Sequence, residues 1–184
     1  ETIFDTLNAK AAIFAVQSVY EEEAYLKRQL PIMISGTVID RTGRTMSGQL
    51  SDAFIASVMH AKPISIGLNC ALGPEVMRPF IEQVSQQAPC FVSCYPNAGF
   101  PNVLGEYDQT PEIMAPLVQE FATSGLVNFL GGCCGTRPGH IAAIAKAIEG
   151  IAPRQVPVLP RRLVLSGLQT LVFTKELNFV NIGE

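Results

Sequence analysis

Residues 64–74 read ISIGLNCALGP: a short apolar run reaches an asparagine and a cysteine, and a proline follows four residues later. An apolar run of this length predicts a buried strand, and proline suits the first turn of a helix. The stretch therefore predicts a strand over residues 64–69 and a helix that begins near Pro74. Cys70 stands where the predicted strand ends.

The same order of strand and helix repeats along residues 1–150. Apolar runs predict further strands over residues 31–39, 90–95 and 126–130, and residues at helical spacing predict helices in between. Strands this uniformly apolar are typical of parallel strands covered on both faces. Repeating β/α units favour either a (β/α)₈ barrel or an open doubly wound sheet. A complete barrel needs about 250 residues, so the barrel interpretation requires its first half to precede residue 1.

The first two helices carry specific expectations. Asp5 is a plausible N-cap for a helix over residues 5–28, and Ser51 for a helix over residues 51–61. Gly150 ends the last predicted helix, which covers residues 138–148. The buried stripe of the first helix is predicted from its 3.6-residue period to consist of Leu7, Ala11, Phe14, Ala15 and Val19.

Composition excludes several classes of protein. The formal net charge is −3 and no basic stripe is interleaved with aromatic residues, so nucleic acid is not an expected partner. No apolar run approaches the roughly 20 residues that span a bilayer, and the first residues lack the pattern of a secretory signal. The expected location is the cytoplasm. Five cysteines, an odd number without a signal peptide, favour reduced thiols.

Three of the five cysteines follow the ends of predicted strands. Cys70 ends one strand, and the vicinal pair Cys133 and Cys134 follows another. Ligand sites of parallel β/α proteins lie at this end of the strands. Neighbouring residues of a regular strand point to opposite faces, so the pair needs a turn, and Gly131, Gly132 and Gly135 would permit positive φ there.

Three thiolates suit Zn²⁺ with a fourth coordination position open, as in catalytic zinc sites. A redox pair or a chance pairing of Cys133 with Cys134 remains an alternative at this point. We interpret Cys90 and Cys94 as buried small residues. His60 and His140, in predicted helices, are not expected to be ligands.

The segment Gly131-Gly132-Cys133-Cys134-Gly135-Thr136, taken with Gly67-Leu68-Asn69-Cys70, resembles the homocysteine S-methyltransferase family. The resemblance implies that Cys70, Cys133 and Cys134 are the three zinc ligands and that homocysteine binds as a thiolate for methylation. Residues 1–5 resemble the end of the family's fourth strand, which implies that Glu1 binds the amino group of homocysteine. The fold implied is α/β, a partial (β/α)₈ TIM barrel from the end of strand 4 to helix 8, with an extended C-terminal linker.

Residues 95–102, 165–168 and 178–184 look like the cobalamin-dependent members of that family. This resemblance implies a homocysteine barrel over residues 1–150, an interdomain linker over 151–177 and the start of a pterin-binding domain at 178–184. Methylcobalamin would be the methyl donor, held by a cobalamin domain absent from this sequence, and a folate domain would be a second partner. The family's opening strand-one motif is also absent, so we expect this fragment alone to be inactive.

Three points stay open on the sequence alone. Asn97, in the long loop after a strand, is either a contact over the metal when substrate is absent or an ordinary turn asparagine. Asp108 is most simply part of the structure of that loop. The methyl donor could instead be betaine or S-methylmethionine, and the fragment could be a non-catalytic zinc-binding piece.

Overall fold

The structure is a computed structural model that describes residues 2–3, 5–22, 27, 29–39, 41–70 and 72–181. Five parallel strands form one sheet, in the order in which they occur along the chain. They are β1 (Thr2–Ile3), β2 (Met33–Gly36), β3 (Ser65–Asn69), β4 (Phe91–Tyr95) and β5 (Phe129–Leu130). The predicted class, α/β with a parallel sheet, is confirmed.

A helix follows each strand of the sheet. They are α1 (Thr6–Glu21), α2 (Ser51–Val58) with a 3₁₀ turn at Met59–Ala61, α3 (Pro74–Gln87), α4 (Pro111–Thr123) and α5 (Pro138–Ala147). A proline opens α3 as predicted, and prolines also open α4 and α5; at the first turn of a helix a missing N–H costs nothing. Among the described residues, no helix is both long and apolar enough to cross a membrane.

Four helices cover the same face of the sheet. Register aligns Ile34 with Ile66 and Ile66 with Val92, so these side chains share one face. They belong to a single buried cluster, to which the helices α1 to α4 also contribute: Ile13, Phe54, Ile81 and Phe121. Strands in sequential order with right-handed crossovers place their helices on one side, whereas a doubly wound sheet reverses its strand order.

The opposite face carries small and polar residues. Ser35, Gly67 and Ser93 stand in one row across β2, β3 and β4. Ser93 is 1% exposed, and Ser35 donates to the Oδ1 of Asn69, at 2.6 Å. Every residue of β3 is buried, so this strand is covered on both faces as predicted, while α1 to α4 share one side. This sequential arrangement is compatible with part of a barrel.

The predicted stripe of α1 is wrong. Leu7 and Phe14 are 78% and 73% exposed, while the buried residues of α1 are Thr6, Ala9 and Ile13. The helix also ends at Glu21, because the backbone of Glu22 is extended, and not at residue 28. Apolar residues occur at helical spacing on more than one face of α1, and small residues can pack against a sheet as well as large ones. Periodicity alone therefore indicated the wrong face.

Two further boundaries differ from prediction. The N-cap of α2 is Leu50, so Ser51 is the first helical residue and makes no capping bond. Strand β5 has two residues instead of five, since the side chain of Asn128 accepts the Val92 N–H bond at 2.9 Å before regular pairing begins. Gly150, with φ of +76°, follows α5 as predicted.

The tail after α5 is attached to the α/β unit. Residues 151–163 have no regular structure, as their proline content predicts, but Arg154 is 4% exposed beneath α3. The strands β6 (Val164–Ser166) and β7 (Thr170–Val172) then pair as an antiparallel hairpin. Ser166 donates to the Ala53 carbonyl at 2.8 Å and the Thr170 hydroxyl to Asp52 at 2.6 Å, so the hairpin lies on α2. The sequence did not predict this hairpin.

Asp5 caps α1 as predicted, and its removal should destabilise the chain. Its Oδ1 accepts the Asn8 N–H at 2.9 Å, and this bond lowers the pKa of Asp5 from 3.8. Replacing Asp5 with alanine is expected to lower the unfolding free energy by about 1 kcal/mol at neutral pH. Part of this stabilisation comes from the charge of Asp5. Because the folded-state pKa is lowered, that part is fully present above the unfolded-state pKa and is lost as the pH falls through the folded-state pKa.

Urea unfolding of wild type and Asp5→Ala, near neutral pH and below pH 3.8, measures how much of the stabilisation depends on the Asp5 charge. Asp5→Asn is the matched control, since asparagine also caps helices but carries no charge. If Asp5→Ala lowers the unfolding free energy equally at both pH values, the charge of Asp5 does not contribute to the stability of α1.

Candidate metal centre

Cys70, Cys133 and Cys134 meet at one point beyond the carboxyl ends of β3 and β5. Their sulfurs all lie within 4.8 Å of one another. The Cys70 and Cys134 sulfurs are 3.3 Å apart, and those of Cys133 and Cys134 are 3.9 Å apart. A disulfide would require about 2.05 Å, so these are three free thiols. The three predicted ligands are thus brought together.

Cys70 reaches the cluster through an unusual backbone conformation. Its φ is +61°, a left-handed value that non-glycine residues seldom adopt. The Cys70 N–H donates to the Tyr95 carbonyl at 3.0 Å, one step beyond the regular pairing of β3 with β4. The chain therefore turns immediately after β3, and the turn sets the direction of the Cys70 side chain.

The vicinal pair sits in a turn, and its glycines act in two different ways. Gly135 has φ of +76°, as predicted, but Gly131 and Gly132 do not have positive φ. These two instead provide space: a Cβ on Gly131 would lie 2.9 Å from the Tyr95 ring, and one on Gly132 2.4 Å from the Thr136 side chain. The turn also contains a Thr136 hydroxyl bond to the Cys133 carbonyl at 2.6 Å.

One short segment after β4 holds the turn and the end of β3. The Tyr95 carbonyl accepts the Cys70 N–H, as described above, and the Pro96 carbonyl accepts the Cys133 N–H at 2.9 Å. The Ala98 N–H donates to the Cys134 carbonyl at 2.9 Å. Residues 95–98 thus position all three cysteines through their backbones. The cysteine motifs alone did not predict this role.

Asn97 completes that segment. It is 2% exposed, and its Oδ1 accepts the Cys134 N–H at 3.0 Å. Its own N–H donates to the Leu72 carbonyl at 3.1 Å. The structure therefore places Asn97 beside the cluster, with its side chain holding the Cys134 backbone.

Tyr107 is a neighbour of the cluster that the sequence did not single out. Its side chain packs on Gly135, where a Cβ would lie 2.3 Å from the Tyr107 Cβ. Burial raises the pKa of Tyr107, and so do a hydrogen bond with Cys134 and the charges of the three cysteines. The only signal in the sequence was its place in the Gly105-Glu106-Tyr107-Asp108 segment of the long loop.

The remaining candidates lie elsewhere or have other partners. Cys94 is fully buried, with its sulfur 3.3 Å from that of Met77, and burial raises the pKa of its thiol. Burial also raises the pKa of Cys90. His140 uses both ring nitrogens, accepting from the Arg137 N–H at 3.1 Å and contacting the Gln109 carbonyl at 2.8 Å.

His60 contacts the Ser57 carbonyl through Nδ1 at 3.0 Å, and Asp108 accepts from Asn102 at 3.1 Å. Asp108 is thus a loop residue here. Glu1, the predicted contact of the substrate amino group, lies outside the described residues.

The geometry of the sulfurs fits a zinc ion. Tetrahedral Zn²⁺ with Zn–S bonds of about 2.3 Å separates its sulfur ligands by about 3.8 Å, between the two distances measured here. All three cysteines are half-buried, so a ligand from solution can reach them. Three soft sulfurs, with no fourth thiol beside them in the described part of the chain, match the donor set of an open zinc site.

Comparison with known families agrees with this chemistry. A family model described as homocysteine S-methyltransferase matches residues 1–148. The matched region contains the whole parallel sheet and all three cysteines of the cluster.

Proposed function

Because the chain belongs to the homocysteine S-methyltransferase family, we propose that it is the homocysteine-activating part of a cobalamin-dependent methionine synthase. The reaction transfers a methyl group from methylcobalamin to homocysteine and gives methionine, with 5-methyltetrahydrofolate as the source of the methyl group. The observation that carries the proposal is the group of three thiols within 4.8 Å at the ends of parallel strands. In methionine biosynthesis, such a group would act on the sulfur of homocysteine.

Cys70, Cys133 and Cys134 would hold Zn²⁺ in this proposal. A free thiol has a pKa near 8.5, so only about 3% is thiolate at pH 7. Zn²⁺ supplies the positive charge that keeps a bound thiol deprotonated at neutral pH. The three cysteine thiolates more than balance the charge of the ion, so the centre has a net negative charge. The substrate sulfur therefore stays rich in electrons, as a nucleophile requires.

Other residues of the chain would orient the substrate and the ligands. Glu1 is proposed to bind the amino group of homocysteine, on the family resemblance of residues 1–5 alone. Asn97 is also proposed as a substrate contact, and its bond to the Cys134 N–H supports a role in holding that ligand in place. Its burial keeps water away from this bond.

We also propose that residues 1–150 form the second half of a (β/α)₈ barrel, from the end of strand 4 to helix 8. The sequential strand order and the placement of four helices on one face support this. The exposed Leu7 and Phe14 of α1 would then pack against the preceding unit of the barrel. Residues 151–177 would be the interdomain linker, and 178–184 the start of the pterin-binding domain.

Metal analysis tests the central part of the proposal. Chain purified under reducing conditions should contain about one zinc per molecule, as a site with three thiolates requires. Homocysteine should then release close to one proton on binding near neutral pH, because it binds as a thiolate. Less than about 0.1 zinc per chain would contradict the zinc site. Full zinc with no uptake of homocysteine would favour a non-catalytic zinc-binding fragment.

The methyl donor is tested separately. The zinc-loaded chain is supplied with homocysteine and either methylcobalamin, betaine or S-methylmethionine, and methionine formation is measured. With the cobalamin and folate domains outside this sequence, we expect no efficient turnover with any donor. Methylation from betaine or S-methylmethionine would instead establish a cobalamin-independent enzyme.

A further inference from the structure

Four hydrogen bonds close a ring around the turn that carries the vicinal cysteines. The Cys134 carbonyl accepts the Ala98 N–H at 2.9 Å, and the Ala98 carbonyl accepts the Gln109 N–H at 3.2 Å. The Gln109 carbonyl contacts Nε2 of His140 at 2.8 Å, and Nδ1 of His140 contacts the Arg137 N–H at 3.1 Å. Arg137 is three residues beyond Cys134 along the chain, so the backbone completes the ring.

His140 supplies a side chain to this ring, and the other members contribute backbone groups. A backbone N–H can only donate and a carbonyl can only accept, so Nδ1 accepts from Arg137 and Nε2 carries the proton that is donated to Gln109. The ring therefore requires one neutral tautomer of His140. The residue is 6% exposed, so water has little access to either bond.

The ring fixes the cysteine turn at both of its ends. The segment 95–98 holds the start of the turn through the backbones of Cys133 and Cys134. His140 holds the other end at Arg137, the N-cap of α5, and joins it to the end of the loop between β4 and α4. Gly135 lies between these two points, and glycine adds backbone freedom. The second point of attachment therefore restricts a turn that would otherwise be held at one end.

We propose that His140 is a positioning residue that keeps the turn of Cys133 and Cys134 in the geometry that binds the metal. This inference rests on the proposed zinc site. His140 acts through the backbone and not as a ligand, because both of its ring nitrogens have backbone partners. Since the turn is held before the metal binds, the thiolates lose less conformational freedom when they close around it.

His140→Asn separates this role from the capping of α5. The amide oxygen of asparagine can replace Nδ1 and accept the Arg137 N–H, but its side chain is too short to reach the Gln109 carbonyl. We expect the dissociation constant for zinc, measured by chelator competition, to rise about tenfold, the low end of the effect of partners outside the first coordination sphere. His60→Asn is the matched control and should leave zinc affinity unchanged, because His60 follows α2 and contacts the Ser57 carbonyl.

Co²⁺ in place of zinc gives a spectroscopic test of the same variant. The visible d–d absorption should be weaker in His140→Asn than in wild type, because a loosened turn admits water to the metal and tetrahedral Co²⁺ absorbs more strongly than Co²⁺ with additional ligands. His140→Gln breaks the ring at the bond to Arg137 instead. It should also weaken zinc binding, and it provides the test if His140→Asn does not fold.

Urea unfolding of the metal-free chains measures the capping contribution separately. His140→Asn should keep more of the wild-type unfolding free energy than His140→Phe, which loses both bonds. If His140→Asn binds zinc as tightly as wild type and leaves the Co²⁺ absorption unchanged, His140 only caps α5, and the positioning role is overturned while the zinc site stands. A wild-type chain that binds neither metal would overturn both proposals.

Discussion

Serine in place of Cys133 is expected to lower bound zinc from about one equivalent to less than about 0.1 per chain under reducing conditions. The substitution removes one of three soft ligands and leaves a hydroxyl that is not ionised near neutral pH. Even partners outside the first coordination sphere contribute about 10–100-fold to metal affinity, so loss of a ligand should cost more than about 100-fold. Metal analysis after desalting, together with chelator competition, measures both quantities.

The turn itself should survive this change. The bonds of Cys133 to Pro96 and Thr136 use its backbone and not its sulfur. A loss of zinc can therefore be attributed to the missing thiolate. Cys90→Ser is the matched control, because Cys90 lies outside the group of three thiols, and it should retain full zinc. Equal zinc in wild type and Cys133→Ser would remove Cys133 from the site.

The cysteine cluster could be predicted because its position depends mainly on the topology of the sheet. In a parallel sheet, every strand ends at the same edge, so the ends of β3 and β5 bring Cys70 and Cys133 to one side regardless of detailed packing. The need for a turn at the vicinal pair also followed from the alternation of side chains in strands. The distances between sulfurs and the family match agree with this prediction, and zinc itself stays a proposal.

The reasons for the glycines were only partly predictable. A positive φ depends on the local backbone, and the prediction of a positive φ was confirmed for Gly135. The requirement at Gly131 and Gly132 is for space against Tyr95 and Thr136, and one of these contacts comes from a distant strand. Tyr107 was missed for the same reason, since its contact with Gly135 joins two loops after different strands.

The face of α1 shows where periodicity fails. Leu7 and Phe14 and the pair Ala9 and Ile13 each fit a helical period, so the sequence does not distinguish two apolar faces. The predicted stripe contained Leu7 and Phe14, yet Ala9 and Ile13 are the residues that are buried. The side that a helix presents to a sheet depends on its neighbours in three dimensions.

The tail hairpin illustrates a different limit. Residues 163–181 contain short apolar segments with few turn signals, and the contacts that hold the hairpin are polar bonds from Ser166 and Thr170 to α2. Such long-range side-chain bonds leave no periodic signal in the sequence. The composition of residues 151–162 predicted an extended segment but not that Arg154 would be buried.

Arg154 is expected to contribute more to stability than any other residue of the tail. Its guanidinium donates to the Ser85 Oγ, the Ala88 carbonyl and the Cys90 carbonyl, each at 2.8 Å. Ser85 and Ala88 belong to the last turn of α3 and its C-cap, where carbonyls lack partners within the helix. Arg154 thus caps α3 from a distant part of the chain.

Arg154→Ala should lower the unfolding free energy by about 3 kcal/mol or more, since several buried acceptors lose their donor at about 1–3 kcal/mol each. The desolvation that lowers the pKa of Arg154 is relieved at the same time, which keeps the loss below the sum of its bonds. Urea unfolding at neutral pH measures the change. Arg154→Lys should recover only part of it, because lysine keeps the charge but lacks the planar fork.

Arg161→Ala is the matched control for this prediction. Arg161 is exposed in the same tail, so its replacement should change stability by less than about 0.5 kcal/mol. Zinc content of Arg154→Ala under native conditions should equal that of wild type, because the backbone bonds of residue 154 to Val127 and Asn128 remain. If Arg154→Ala and Arg161→Ala unfold at the same urea concentration as wild type, the buried guanidinium does not hold the tail to α3. A large loss for Arg154→Ala alone would show that residues beyond α5 are part of the folded unit that carries the cysteines.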